Sequence, residues 1–595
     1  MTVERLLEIA SATNPGFFMM AAALLAVVAK DVFTRGVALI GGPLIALLVM
    51  LYPPVSGAEV ARQFFLGFEL SLYRPDSLSL IFGLGFVIAA ALGGIYSLHR
   101  RDWLQDAAGL VYAGSALGAV FAGGLLTMLI FAEIATVTSA LLIFARRTGP
   151  AYRAGSRFLV IHIIAGLLLT AGVAVYGLDK GTVVVAEIGG LWNGVVVGAL
   201  DPGTLGGALI LAGVGIKAGF PLIHNWLTDA YPNTTDSGAV VLSPYTTTMA
   251  VYLLARLFAG YEPLIWIGAA MTIYPVFFAV MENDLRKVLA YSTNNQICFM
   301  ICAVGMGTTL SINGAAAHAV AHIIFKGLLF MTMGAIQLRL GTTKATELGG
   351  LHRTMPWTTL ACLVGAASIS ALPFFAGYTS KTMIMTAAES GPGLFIVWLM
   401  LLFASAGVLE HSGIKIPYFA FFGHDSGKRP EEAPFNMLLA MGLSAGLCLI
   451  IGIYPGWFYA LLPFRDQAEE FLAHDLFSIS HLIQQAQLLV FAVLAFMVLQ
   501  WWKFYPPERP GVIIDVEWIW RKGVPTLETL LARPLAAGSR IVSGLVSFSG
   551  AQIQAAARQV FAAEGVVSRK VPLSATAIWS LCILGVVLAI SLFAS

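Results

Sequence analysis

Residues 312–338 read INGAAAHAVAHIIFKGLLFMTMGAIQL. The stretch is long and apolar enough to cross a bilayer as a helix, yet it carries His318, His322 and Lys326. These three fall at i, i+4 and i+8, so they form one polar stripe on a single helix face. An ammonium at the middle of a membrane helix costs roughly 2.5–3.5 kcal/mol even on the mildest insertion scale. Two further lysines, Lys217 and Lys381, stand inside apolar runs of the same kind. Groups placed this way do not serve stability, and charge or proton movement is the function they point to.

The composition agrees. The chain has 595 residues, of which 58% are hydrophobic and 11% charged, with a mean hydropathy of +0.84. A soluble chain carries about a quarter charged residues, so the fold class is an all-α polytopic membrane protein. The formal net charge of +2 argues against a nucleic-acid partner. Cys298, Cys302, Cys362, Cys448 and Cys582 all lie in apolar segments without metal-site spacing, and read as inert buried thiols. The opening MTVERLLEIASATNPG is polar before its first apolar run and does not resemble a cleaved signal peptide. With no Gly-rich phosphate loop, CxxC cluster or haem motif, the chain is expected to carry no cofactor of its own.

Apolar windows of about 20 residues give spans near 14–30, 33–52, 76–98, 106–122, 124–145, 156–177, 205–223, 238–258, 262–281, 288–306, 312–338, 357–388, 393–412, 435–460, 481–502 and 573–593. With the N-terminus outside, the outer loops hold only Arg5, Arg62, Arg74, Lys180, Arg256 and Arg465, and the three intramembrane lysines apart, the other Lys and Arg fall inside. The positive-inside rule therefore supports both map and orientation. Residues 53–75 alternate apolar and polar, which predicts a short outer hairpin. Residues 503–572 are too polar to cross. Ile541, Leu545 and Phe548 mark one face of an amphipathic helix there, expected to lie at the cytoplasmic interface or along neighbouring spans, with a small soluble tail as the alternative. The expected organisation is N-terminal helices and hairpin (1–75), core (76–460), an additional span (461–502), the interfacial segment (503–572) and a C-terminal span (573–595).

Glu133 sits about halfway along LLTMLIFAEIATVTSALLIFA. A carboxylate at that depth stays ionised only beside a cation, and Lys217 is the natural partner. Such a pair is either a switch that proton arrival makes and breaks, or a static buried ion pair. Lys217 is followed by Pro221, while Pro373 and Gly377 precede Lys381. Proline interrupts a helix, and freed backbone groups at membrane depth are tolerated where they line a wet cavity. These two sites resemble the broken helices of transporters built from internal repeats. His318 and His322 suit proton relay, because imidazole titrates near neutral pH; structural packing or a metal site are the alternatives, and Lys326 is a poor ligand. Glu410 and His411 close the span at 393–412, as an exit to one side or as an interfacial pair. Thr246, Thr247 and Thr248 could bond water or helix carbonyls.

The stretches KAGFPLIHNWLTDAYP (217–232), YLLAR (252–256), DLRKVLAYSTNNQ (284–296), HAVAHIIFKGLLF (318–330) and PFFAGYTSK (373–381) resemble the antiporter-like subunits shared by respiratory complex I and Mrp-type Na+/H+ antiporters. The resemblance covers roughly residues 75–455. It implies a core of about fourteen helices in two inverted repeats, each with a broken helix. It also implies a proton path from Glu133 and Lys217 through His318, His322 and Lys326 to Lys381, with Asp229 at a further family position. Where many members carry another lysine, this chain has Thr248. The function so implied is a proton-translocating subunit of a multisubunit cation/proton antiporter in the inner (cytoplasmic) membrane, with other membrane subunits as partners. The alternatives are a pumping subunit of a complex I-like dehydrogenase or membrane hydrogenase, or an energising subunit for another ion-coupled uptake such as inorganic carbon import. In those cases any enzymatic chemistry resides in partner subunits.

Overall fold

A computed structural model describes residues 13–506 apart from 52–59, 66–67, 185–188 and 193–194, and beyond these only 509, 511, 513–523, 525–527 and 530. The chain divides into two compact units, Met1–Gly511 and Val512–Ser595. In the second, the described part holds a short helical turn, Ile519–Gly523, with Arg521 paired to Glu517 at 2.8 Å. The expected amphipathic face at 541–548 and the span at 573–593 lie outside the described residues.

The first unit is helical. In chain order it contains α1 (Gly16–Val28), α2 (Val32–Leu51), α3 (Ser77–Ser97), α4 (Trp103–Val120), α5 (Leu125–Phe144), α6 (Gly149–Lys180), α7 (Leu205–Ala218) and α8 (Asn225–Ala230). There follow α9 (Gly238–Phe258), α10 (Pro263–Met281), α11 (Leu285–Met306), α12 (Thr309–Leu340), α13 (Pro356–Ile369), α14 (Ala376–Ser390), α15 (Phe395–Phe422), α16 (Phe435–Ile453) and α17 (Ile479–Trp501). Each apolar segment from 14–30 to 481–502 falls on a helix or on a broken pair of helices. Ten described helices are long and apolar enough to cross a membrane. The hairpin forms as β1 (Val60–Phe65) and β2 (Phe68–Tyr73), antiparallel with Val60 opposite Tyr73. A second hairpin, β3 (Gly189–Trp192) with β4 (Val195–Val197), carries no alternation that marked it in the sequence.

Burial sorts the helices. Every residue of α12 from Ser311 to Ile336 is buried, and α11 is buried along nearly its whole length. By contrast α17 buries none of its residues, and Phe435, Leu24 and Phe491 stand exposed on outer helices. An apolar exposed belt around a polar-containing centre is what a lipid solvent selects.

The two breaks share one backbone design. Gly219 and Leu222 adopt φ of 79° and 70°, and Ala371 and Phe374 adopt 56° and 70°. In each, the proline precedes the second left-handed residue. After α7, the Gly219 N–H donates to Ile216 O (3.2 Å) and the Phe220 N–H to Gly215 O (3.0 Å). After α13, the Ala371 N–H donates to Ser368 O (3.0 Å) and the Leu372 N–H to Ala367 O (3.0 Å). Both are Schellman closures, which satisfy the last carbonyls of a helix ended in the left-handed region. Internal similarity that is faint in side chains is explicit in this hydrogen bonding.

Three expectations change. Gly377 lies not in the break but in the first turn of α14, and a Cβ there would collide with Ser368 O. Its role is close approach of the two half-helices. The span at 393–412 does not close at Glu410 and His411. The helix runs on to Phe422 through π-helical turns at Leu409–Ile414 and Tyr418–Phe422, because the apolar Tyr418–Phe422 run prolongs it past Glu410 and His411. Arg256, expected in an outer loop, is buried at the end of α9 and paired with Asp76 at 2.7 Å. Asp76 caps α3, and the ion pair removes the need for solvent at either charge.

Candidate functional site

Glu133 on α5 and Lys217 in the last turn of α7 meet: Nζ lies 3.3 Å from Oε1. The ammonium also donates to Thr136 Oγ1 at 2.7 Å, one helical turn from Glu133. Lys217 is fully buried, whereas the Glu133 side chain is 31% exposed. The carboxylate fits because α6 presents Gly166 to it. At the C-terminus of α7, orphan carbonyls and the helix dipole favour a cation.

Lys381 reaches the equivalent place by the opposite route. It stands in the second turn of α14, where its own helix dipole opposes a cation. Its Nζ turns back to donate to Ile369 O, the last carbonyl of α13, at 3.3 Å. It also lies 5.1 Å from the Phe299 ring centre, within cation–π range. Both ammoniums therefore sit at the C-terminal end of the first half of a broken helix, one from before the break and one from after it.

The polar stripe lies on α12, which packs on α14, the helix of Lys381. His318 contacts Ser380 Oγ through Nδ1 at 2.9 Å and Gln296 Oε1 through Nε2 at 3.1 Å. The Gln296 carbonyl oxygen can only accept, so a neutral His318 carries its proton on Nε2. His322 is buried, with its ring 6.4 Å from that of His318, and neither nitrogen makes a protein hydrogen bond. Lys326 donates to Ser292 Oγ at 2.7 Å. Among the described residues no group of three His, Cys, Asp or Glu is arranged to hold a metal.

Among the described residues, no direct hydrogen-bond chain joins Lys217 to His318. The helices between them supply buried polar atoms instead. Thr247 Oγ1, Thr248 Oγ1 and both amide atoms of Asn294 are buried without a protein hydrogen bond. Thr247 and Thr248 stand on α9, which packs on α7, α11 and α12. Asn294 Oδ1 lies within 2.7 Å of where a Gly219 Cβ would stand. Each unsatisfied buried group costs about 1–3 kcal/mol, so a cluster of them marks a polar corridor rather than packed core.

Other expected residues fall elsewhere. Asp229 accepts from Arg157 Nε at 2.7 Å and Nη2 at 2.8 Å, a bidentate clamp of α8 onto α6 at a partly exposed position. Glu410 accepts from Tyr505 Oη, and His411 Nδ1 contacts Ser412 Oγ at 2.8 Å. Residues the sequence reading did not single out also line the site: Thr136, Ser292, Asn294, Gln296, Ser380 and Ser412. For Ser292, Asn294 and Gln296 the run Ser292-Thr-Asn-Asn-Gln296 was a signal, since no amphipathic period accounts for five polar residues together inside an apolar helix, whereas Thr136, Ser380 and Ser412 carried none. His162 is a further one, buried and stacked on Phe158 at 4.0 Å, with its Nδ1 2.9 Å from Phe158 O. It packs edge-on at 4.5 Å to Trp226, whose indole N–H donates to Ile216 O beside Lys217.

Residues 122–408 match the family model described as NADH:quinone oxidoreductase/Mrp antiporter, transmembrane. Over these residues, just under half of the chain, it is similar to that family's transmembrane region. It is a multi-pass, antiporter-like membrane protein of the kind found in multisubunit assemblies. The chain is 26% identical over 446 residues to "Hydrogenase-4 component B" of Escherichia coli, covering 68% of this chain and 65% of that protein. It is 28% identical over 435 residues to one of the Na(+)/H(+) antiporter subunits of Alkalihalophilus pseudofirmus, covering 66% and 53%. In both cases the match spans less than two thirds of the relative. Among solved structures, one protein of the Mrp complex from Dietzia superposes with a TM-score of 0.67 at 21% identity, over 82% of this chain and all of that one. One protein of an archaeal membrane-bound sulfane sulfur reductase gives the same TM-score, over 97% and 99%. At these identities the superpositions speak for the fold alone.

Proposed function

We propose that this chain is the proton-translocating, antiporter-like subunit of a multisubunit Mrp-type cation/proton antiporter in the cytoplasmic membrane. Protons move along Glu133 and Lys217, then His318, His322 and Lys326, then Lys381. The observation that carries this reading is the placement of both Lys217 and Lys381 at the C-terminal end of an interrupted half-helix, with the polar stripe of α12 between. Charging one lysine in a low-dielectric interior biases the protonation of the next, and that coupling turns separate sites into a relay. Thr248 stands where the resemblance implies another lysine, so water held by Thr247, Thr248 and Asn294 bridges Lys217 to His318.

The test is transport by the native complex in vesicles. Lys217→Ala or Lys381→Ala abolishes coupled transport while the complex still assembles; unchanged proton or cation flux in either variant would sink the relay.

The similarity to a hydrogenase component favours one second reading, a pumping subunit of a redox-driven complex. Under it, flavin and iron–sulfur absorbance co-purifies with the chain; under the first reading it does not.

A further inference from the structure

A second wire of hydrogen bonds leaves Lys326 sideways, off the axis through the two broken helices. Lys326 Nζ donates to Ser292 Oγ at 2.7 Å, and Ser412 Oγ donates to the same oxygen at 2.8 Å. Ser412 Oγ is in turn 2.8 Å from His411 Nδ1. Ser292, Ser412, His411 and Lys326 are all buried, and His411 Nε2 makes no protein hydrogen bond. The residue before His411 is Glu410, whose carboxylate accepts from the Tyr505 hydroxyl. Tyr505 lines a cleft of ≈ 560 Å³ together with Phe419, His424, Gln500 and Lys503, where α15 and α17 end.

The backbone is shaped around this branch. Glu410, His411 and Ser412 all lie in the π-helical turn Leu409–Ile414. A π-turn adds a residue to a helical turn and re-aims the side chains that follow it. Beyond it, Lys415 donates to Val280 O at 2.6 Å and Glu282 O at 2.7 Å, which anchors the turn to the end of α10.

We infer that Tyr505, Glu410, His411, Ser412 and Ser292 form a lateral proton port connecting Lys326 to the cleft at the ends of α15 and α17. The inference rests on the proposed proton relay. A proton from the cleft is taken up by the Glu410 carboxylate and passes through a bridging water to the imidazole of His411, the next residue along the turn. His411 gives a proton to Ser412 Oγ as Ser412 releases its own to Ser292. Ser292 releases its hydroxyl proton to the free Lys326 amine, which becomes the ammonium. Each hydroxyl gains and loses one proton, so the net change is a proton moved from cleft to lysine. Run backwards, the same groups discharge Lys326.

The experiment uses the native complex in sealed vesicles, with an imposed pH gradient and a trapped pH-sensitive dye. Glu410→Gln and His411→Asn are each expected to slow proton flux at least about tenfold, on the scale of losing one proton-transfer partner. Glu410→Asp keeps the carboxylate and restores most of the flux, which a packing role would not predict. Tyr505→Phe, at the cleft, reads the port with little demand on folding should His411→Asn not assemble, and is expected to slow flux several-fold. Parent-like flux in Glu410→Gln and Tyr505→Phe, with Lys381→Ala inactive, overturns the port and leaves the relay standing. Parent-like flux in Lys381→Ala as well overturns both.

Discussion

An atom at the Cβ position of Gly166 would lie 2.5 Å from Glu133 Oε2. The Glu133 carboxylate thus occupies, between α5 and α6, the room that any side chain on Gly166 would take. Exchanging a helical glycine for alanine normally stabilises by about 1 kcal/mol. Here Gly166→Ala pushes the carboxylate away from Lys217. The expected outcome is an assembled complex with strongly reduced transport, read as proton flux per complex in vesicles. Parent-like flux would show that the 3.3 Å Glu133–Lys217 contact is not required.

The two breaks place different residues at their first left-handed position, and this gives an asymmetric pair of variants. Gly219 and Ala371 occupy equivalent left-handed positions, with φ of 79° and 56°. A side chain in that region costs roughly 1–2 kcal/mol. Ala371→Gly is therefore expected to leave thermal stability equal or slightly raised. Gly219→Ala lowers it, because the new methyl also meets Asn294 Oδ1 at 2.7 Å. Thermal unfolding in detergent checks both, and a reversed order would contradict the shared geometry.

Arg256 and Asp76 form a buried pair, with Nη1–Oδ2 at 2.7 Å and Nη2–Oδ1 at 2.8 Å. Removing one partner of such a pair leaves an uncompensated charge and costs about 3–5 kcal/mol. Arg256→Ala should cut the yield of folded protein sharply, whereas a change of partner in an exposed pair such as Arg465–Glu469 should not. Fluorescence-detected size exclusion measures the difference.

Asp425 lies in the loop after α15 and accepts from Arg429 at 2.6 and 2.9 Å, from the Gly427 N–H at 2.9 Å and from Arg353 at 3.2 Å. The Arg429 hydrogen bonds, then that of Gly427, hold its carboxyl well below the usual carboxylate range. A depressed value contributes stability that is present above the ordinary carboxylate value and lost as pH falls through the folded one. Protection of this loop from limited proteolysis should therefore be flat from neutral pH down to the ordinary carboxylate range, and fail only in stronger acid. Asp425→Asn should lose that protection at neutral pH.

Much of the site was legible because the membrane makes charges conspicuous. Lys217, Lys326 and Lys381 stand out in apolar runs, and prolines mark the breaks beside two of them. The hydroxyls and amides that connect them were not legible. Ser292, Thr136, Asn294 and Ser412 are ordinary residues in a helix, and their part depends on which neighbour each one faces. Asp229 shows the converse: a motif residue whose charge is spent on a clamp with Arg157 at the edge.

The sequence by itself determined the class of the protein, the places where helices break and the buried groups that titrate. These follow from local chemistry, since proline, left-handed glycine and an ammonium in hydrocarbon carry their energetic consequences wherever they occur. Only the tertiary structure decided that Lys381 turns back to the end of α13, that Gly166 makes room for Glu133, and that Lys326, Ser292, Ser412 and His411 join in one hydrogen-bonded branch. Those are relations between residues far apart in the chain, fixed by how helices pack, and no local preference specifies them.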